Sequence, residues 1–205
     1  MQPVLEIYGF DGCALWPVAE IEQFNHLPLS GDLAPAEVGT AVMGIAGCND
    51  IDPEHDDRPP RPADPLGSFL HGLLTFDRLF AAGGMRVTDS STGTTFLPGC
   101  CYGLEDWRDW REVVDGSGRA CFGHDPDPVA ERLGDTVRLT VDSEQSDSPV
   151  IELSVTELRR LLDGAEHDLT DFLALAAEWV SQYLPDHSTP VTAALVRVLA
   201  LPSKP

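Results

Sequence analysis

Lysine is almost missing from this chain: Lys204 is the only one in 205 residues. Twelve arginines supply the remaining side-chain cations against 34 aspartates and glutamates, for a formal net charge of −21. A surface so poor in cations repels phosphate backbones and anionic headgroups, which excludes direct nucleic-acid binding and electrostatic attachment to a membrane. Basic patches interleaved with aromatics are missing as well. No stretch approaches the roughly 18 uninterrupted apolar residues of a membrane span. Met1 to Phe10 lacks a basic segment followed by an apolar one, so the expected compartment is cytoplasmic.

The common catalytic signatures are also absent. There is no glycine-rich phosphate loop, no Gly-x-Ser-x-Gly elbow, no His-Glu-x-x-His pair and no Cys-x-x-Cys. The five cysteines, Cys13, Cys48, Cys100, Cys101 and Cys121, are odd in number and scattered, in a chain large enough not to need staples. They read as reduced thiols.

What is present is a core-forming pattern. At 42% apolar residues the chain can bury a substantial interior. Pro3 to Tyr8 reads as a strand; Leu33 to Met43 reads as containing a short helix with Asp32 as its cap, while the run Gly39 to Ile45 reads equally as a strand. Residues 49–65 carry five prolines and six acids, which oppose both regular structure and burial, so they form an exposed loop in a single domain over 1–205. Leu66 to Ala82 has helical spacing with Gly83-Gly84 as its stop. Met85–Thr88 and Thr94–Leu97 flank the turn residues of a hairpin, and a short helix follows from Leu104 to about Gly116. Arg119–Phe122, Val137–Val141 and Pro149–Leu153 are further strands.

Ser154 and Glu157 stand at capping-box spacing before a continuous apolar stripe from Leu158 to Tyr183, with Gly164 as a potential kink. A last helix with Thr189 as its cap and Pro190 at its first position runs to about Ala200. Together these elements predict an α+β fold, with a mixed or mainly antiparallel sheet packed against a long C-terminal helix and a second amphipathic helix.

Three groups of residues carry potential chemistry. Trp107 and Trp110 lie three apart among Asp106, Asp109 and other charges; if one indole is exposed, it is an aromatic of the kind enriched at binding hot spots, and if neither is, both belong to the core. The acids Asp52, Glu54, Asp56 and Asp57 form a second partner-binding surface on the loop, whose pattern lacks the glycine and terminal glutamate of a calcium loop. Cys100, Cys101, Cys121 and His124 offer soft donors for zinc, or a thiol activated at a helix start, although adjacent cysteines in extended chain point apart and need a turn to share one ion. The competing reading is that the cysteines fill tight space between hairpin and helix.

Leu97-Pro98-Gly99-Cys100-Cys101-Tyr102-Gly103-Leu104-Glu105-Asp106-Trp107, followed by Gly123-His124-Asp125-Pro126, two strands and a long helix to Tyr183, resembles small acidic proteins of high-GC bacteria. In style these are similar to the immunity proteins of bacterial toxin systems. The resemblance implies a non-catalytic module that needs no cofactor and binds a basic toxin or other basic protein; it carries over no site residues. The alternative is a cysteine-based redox or zinc-binding enzyme or sensor.

Overall fold

The computed structural model describes residues 1–9, 15–52 and 58–202. Among them the chain folds into two four-stranded antiparallel sheets and five α-helices, an α+β architecture as expected. The first sheet combines β1 (Gln2–Glu6), β2 (His26–Pro28), β3 (Gly83–Thr88) and β4 (Thr95–Phe96) in the order β2-β1-β3-β4. Its central strand β1 is buried on both faces at Val4 and Leu5, which is why it reads as an apolar run rather than an alternation. The second sheet is a meander of β5 (Arg119–Cys121), β6 (Val129–Leu133), β7 (Thr136–Thr140) and β8 (Val150–Ser154). In β7 the alternation is clean, with Val137 and Leu139 inward and Arg138 outward.

The helices are α1 (Pro35–Cys48), α2 (Pro65–Thr75), α3 (Trp110–Asp115), α4 (Val155–Tyr183) and α5 (Ser188–Val198). The ambiguous segment around Leu33–Met43 is helical. Its start is fixed by Glu37, whose carboxylate accepts from the Ala34 N–H at 2.8 Å, and not by Asp32. Asp64 caps α2 by accepting from the Gly67 N–H at 2.7 Å.

Helix α2 ends at Thr75, seven residues short of the expected end at Ala82, and Phe76 is already extended. The glycine pair belongs to β3 instead: a Cβ on Gly83, whose φ is +145°, would run into the carbonyl of Val4 on the neighbouring strand. Gly83 therefore permits close strand approach rather than stopping a helix. Strand β6 lies outside the expected strands, because its buried apolar residues are confined to Val129 and Ala130.

Ser154 caps α4 by accepting from the Glu157 N–H at 3.1 Å, and the helix runs unbroken for 29 residues past Gly164. At 1.5 Å per residue it is about 43 Å long. Its stripe of Leu158, Leu162, Ala165, Leu169, Phe172, Ala176 and Trp179 is buried, and it packs on β1 of one sheet and on β7 and β8 of the other. Helix α5 begins at Ser188, after a 3₁₀ turn over Pro185–His187, so Thr189 lies inside the helix rather than capping it. No helix among the described residues is long and apolar enough to cross a membrane.

A 3₁₀ segment over Leu104–Asp109 leads directly into α3 and settles the state of the paired indoles. Both are fully buried. Trp107 donates from Nε1 to the carbonyl of Leu199 at 2.9 Å. Trp110 stacks on Phe122 with ring centroids 4.2 Å apart and meets Phe96 edge-on at 5.6 Å. Outside them, Arg108 and Arg111 reach across to the two carboxylate oxygens of Glu166 on α4, each at 3.0 Å.

Candidate functional site

Two loops meet where the sheets adjoin: Leu97–Gly103 after β4, and Phe122–Pro128 between β5 and β6. They are joined backbone to backbone. Gly99 N–H donates to the Phe122 carbonyl at 2.8 Å, Cys100 N–H to the His124 carbonyl at 2.6 Å, and His124 N–H back to the Cys100 carbonyl at 3.2 Å. Neither contact surface has room for a side chain: a Cβ on Gly99 would press on Pro126 and lie 2.7 Å from the His124 nitrogen. A Cβ on Gly123, at φ +107°, would lie 2.7 Å from the Gly99 and Cys100 carbonyl oxygens. The floor beneath is aromatic, since Tyr102 packs on Phe122 at 5.4 Å and donates its hydroxyl to the Asp106 carbonyl at 2.6 Å.

The clasp presents three reactive side chains on its outer surface. Cys101 adopts the left-handed φ of +63°, which supplies the turn that two adjacent cysteines need to face the same way. Its Sγ lies 3.4 Å from that of Cys100. With one nitrogen of His124 the two sulfurs form a set of donor atoms all within 4.8 Å of one another, and all three residues are exposed. The His124 Nδ1 lies 3.2 Å from the Asp125 carboxylate.

The surroundings separate the two thiols electrically. Hydrogen bonds from Cys100 and then His124 hold the Cys101 thiol below its usual range. The same bond from Cys100 to Cys101 pushes the Cys100 thiol up, with desolvation, Cys101 and Glu6 adding to it. His124 is raised by Cys101 and then by Asp125. Glu6 also accepts from the Tyr8 hydroxyl at 3.1 Å, and burial together with that carboxylate pushes the phenol up to about 12. These opposite shifts make Cys101 the readier of the two thiols to ionise and Cys100 the more reluctant.

Of the four soft donors grouped from sequence, three come together and Cys121 does not. It sits exposed on β5 opposite Val129, outside the cluster. In a helix, Cys-x-x-His spacing would align the two side chains, but here the chain is extended through Cys121 and then turns at Gly123. Of the other cysteines, Cys48 closes α1 and burial raises its thiol, while Cys13 lies outside the described residues.

The partner-binding surfaces fare differently. Trp107 and Trp110 are core residues and offer no exposed indole, which corrects that part of the expectation; their neighbours Asp106 and Asp109 are exposed. Asp52 is exposed and bound to Arg61 Nη2 at 2.7 Å, while Glu54, Asp56 and Asp57 lie outside the described residues. A carboxylate group missed in the sequence is assembled from separate elements: Asp32, Asp168, Asp171 and Glu178 line one open cavity of about 370 Å³. The helical spacing of the last three was the available signal. Comparison with known proteins returns no family model, no curated relative and no solved structure that matches this chain.

Proposed function

We propose that this protein is a thiol-based redox sensor whose working unit is Cys101, Cys100 and His124. The supporting observation is the pair of exposed sulfurs 3.4 Å apart beside an imidazole. The oxidant class is a hydroperoxide. Cys101 Sγ attacks one peroxide oxygen, forming an S–O bond and breaking O–O, and the departing oxygen takes up a proton. Cys100 Sγ then displaces the hydroxyl from the Cys101 sulfenic acid; S–S forms, S–O breaks, and the Cys100 proton leaves in water. Two thiols thereby give two electrons to one peroxide.

Adjacency gives this disulfide its character. Consecutive Cα atoms are about 3.8 Å apart, whereas disulfides usually span about 4.4–6.8 Å. The ring is strained and easily reduced, so it suits a reversible signal rather than a structural staple. The test is intact-mass measurement after one equivalent of hydrogen peroxide. The native protein loses two hydrogens, Cys100→Ser stops at a trappable sulfenic acid, and Cys101→Ser is inert. Equal oxidation of Cys101→Ser and native protein would overturn the assignment.

A second reading, an acidic module of the immunity type that docks a basic protein, is favoured by the carboxylate cavity of Asp32, Asp168, Asp171 and Glu178. Burial already raises the Asp168 carboxyl, so a cationic group seated there gains an acceptor short of solvent. Polylysine is the simplest probe. Retention at low salt that is lost in Asp168→Lys/Asp171→Lys supports this surface; retention unchanged by that double substitution rules it out.

A further inference from the structure

We propose that Cys100, Cys101 and His124 form a binding site for a single divalent ion of the zinc class, with Cys121 outside it. The inference goes beyond the redox reading and does not depend on it, since coordination needs no oxidant.

The first support is distance. Zinc binds thiolate at about 2.3 Å and imidazole at about 2.0 Å in tetrahedral geometry, which separates two ligating sulfurs by about 3.8 Å. The two Sγ atoms stand at 3.4 Å, and the imidazole nitrogen lies within 4.8 Å of both. The remaining difference is a few tenths of an ångström between the sulfurs, and all three side chains are exposed. The donor set of two sulfurs and one nitrogen selects a thiophilic ion over magnesium or calcium, which take oxygen.

The second support lies behind the imidazole. A ligating histidine almost always gives its other N–H to a carboxylate or carbonyl, and Asp125 stands 3.2 Å from Nδ1. An Nδ1–H bond to that carboxylate leaves Nε2 with the free lone pair. The third support is the clasp, which ties the two ligand-bearing loops through their backbones and leaves their side chains free to converge. Glu6 and Asp125, in a chain of net charge −21, add a local potential that draws cations. Three protein ligands leave a fourth position for water.

Titration of the reduced protein with cadmium, read by thiolate-to-metal charge-transfer absorption, and with zinc against a chromophoric chelator tests the site. One equivalent is expected, unchanged in Cys121→Ser. Cys100→Ser, Cys101→Ser and His124→Ala should each weaken affinity by more than tenfold, and Asp125→Asn by about tenfold. Near-ultraviolet dichroism from the buried indoles verifies that each variant is folded. Absence of the band in folded native protein, full affinity in His124→Ala, or loss of affinity in Cys121→Ser would each overturn the proposal. Peroxide treatment of the same variants separates the two chemistries: His124→Ala keeps both sulfurs and can still close the disulfide, so a metal failure is not a redox failure.

Discussion

Replacing Gly123 by alanine is the sharpest probe of the two-loop clasp. The added Cβ is opposed twice, once by a φ of +107° and once by contact 2.7 Å from the carbonyl oxygens of Gly99 and Cys100. A left-handed backbone costs an L-residue about 1–2 kcal/mol. Relieving the contact separates the loops and gives up the reciprocal Cys100–His124 bonds, worth about 1 kcal/mol each. The expected loss is about 3–4 kcal/mol. Gly134→Ala is the matched control. Gly134 has φ +68° and open space for at least 4 Å around the place its Cβ would take, so only the conformational cost of about 1–2 kcal/mol applies. The difference of about 2 kcal/mol corresponds to a melting temperature about 4–8 °C below that of the control for a chain of this size. Thermal unfolding followed by tryptophan fluorescence measures it. In parallel, alkylation of Cys101 should require higher pH in Gly123→Ala, as His124 drifts away, and stay native-like in Gly134→Ala. Equal melting temperatures for the two variants, with unchanged thiol reactivity, would show that the loops are not clasped.

The thiols carry a pH signature of defined sign. Alkylation follows the thiolate, so the rate at Cys101 should reach half its plateau below the ordinary thiol value, and in Cys100→Ala or His124→Gln that midpoint should move up. Trp110→Ala removes a fully buried ring stacked on Phe122 and should cost about 3–5 kcal/mol in urea unfolding; a loss under about 1 kcal/mol would mean the indole is not core. Ser154→Ala deletes the cap of α4 and should cost about 1 kcal/mol in the same assay, with Ser154→Asp retaining most of it. Glu166→Gln loosens both partly exposed arginine pairs yet should cost no more than about 1 kcal/mol, an effect that shrinks further when unfolding is repeated in high salt.

Local signals were legible where one mechanism acted alone. Ser154 and Glu157 mark the start of α4 because a cap is a contact between near neighbours, and the hairpin around Asp89–Gly93 follows from its turn residues. Helix α2 reads too long because Phe76 and Phe80 fit a 3.6-residue period, while the need for Gly83 to approach Val4 lies in a strand 79 positions earlier. Strand β6 does leave a signal of its own: Gly134-Asp135 is a two-residue hairpin turn joining Leu133 to Thr136. The spacing of Trp107 and Trp110 is readable, but not their burial, because a change from 3₁₀ to α geometry between them turns one toward Leu199 and the other onto Phe122. At the site, the partnership of Cys100, Cys101 and His124 is within reach of sequence reasoning and the exclusion of Cys121 is not. The sign of φ at Cys101 and Gly123 decides it, and only glycine at one of those positions hints at that.

The placement of α4 has a consequence for synthesis. Strand β1 pairs with β2 and β3 early, but the helix that covers it is made about 150 residues later, after the second sheet. At about 5–20 residues per second, β1 waits roughly 8–30 seconds on the ribosome without the part of its cover that α4 supplies, although α1 is already made. A nascent chain in that interval is a substrate for holding chaperones, and stalling before Val155 leaves a sticky partial protein rather than a folded N-terminal unit. In the order of translation, the last quarter of this polypeptide is the guardian of its first strand.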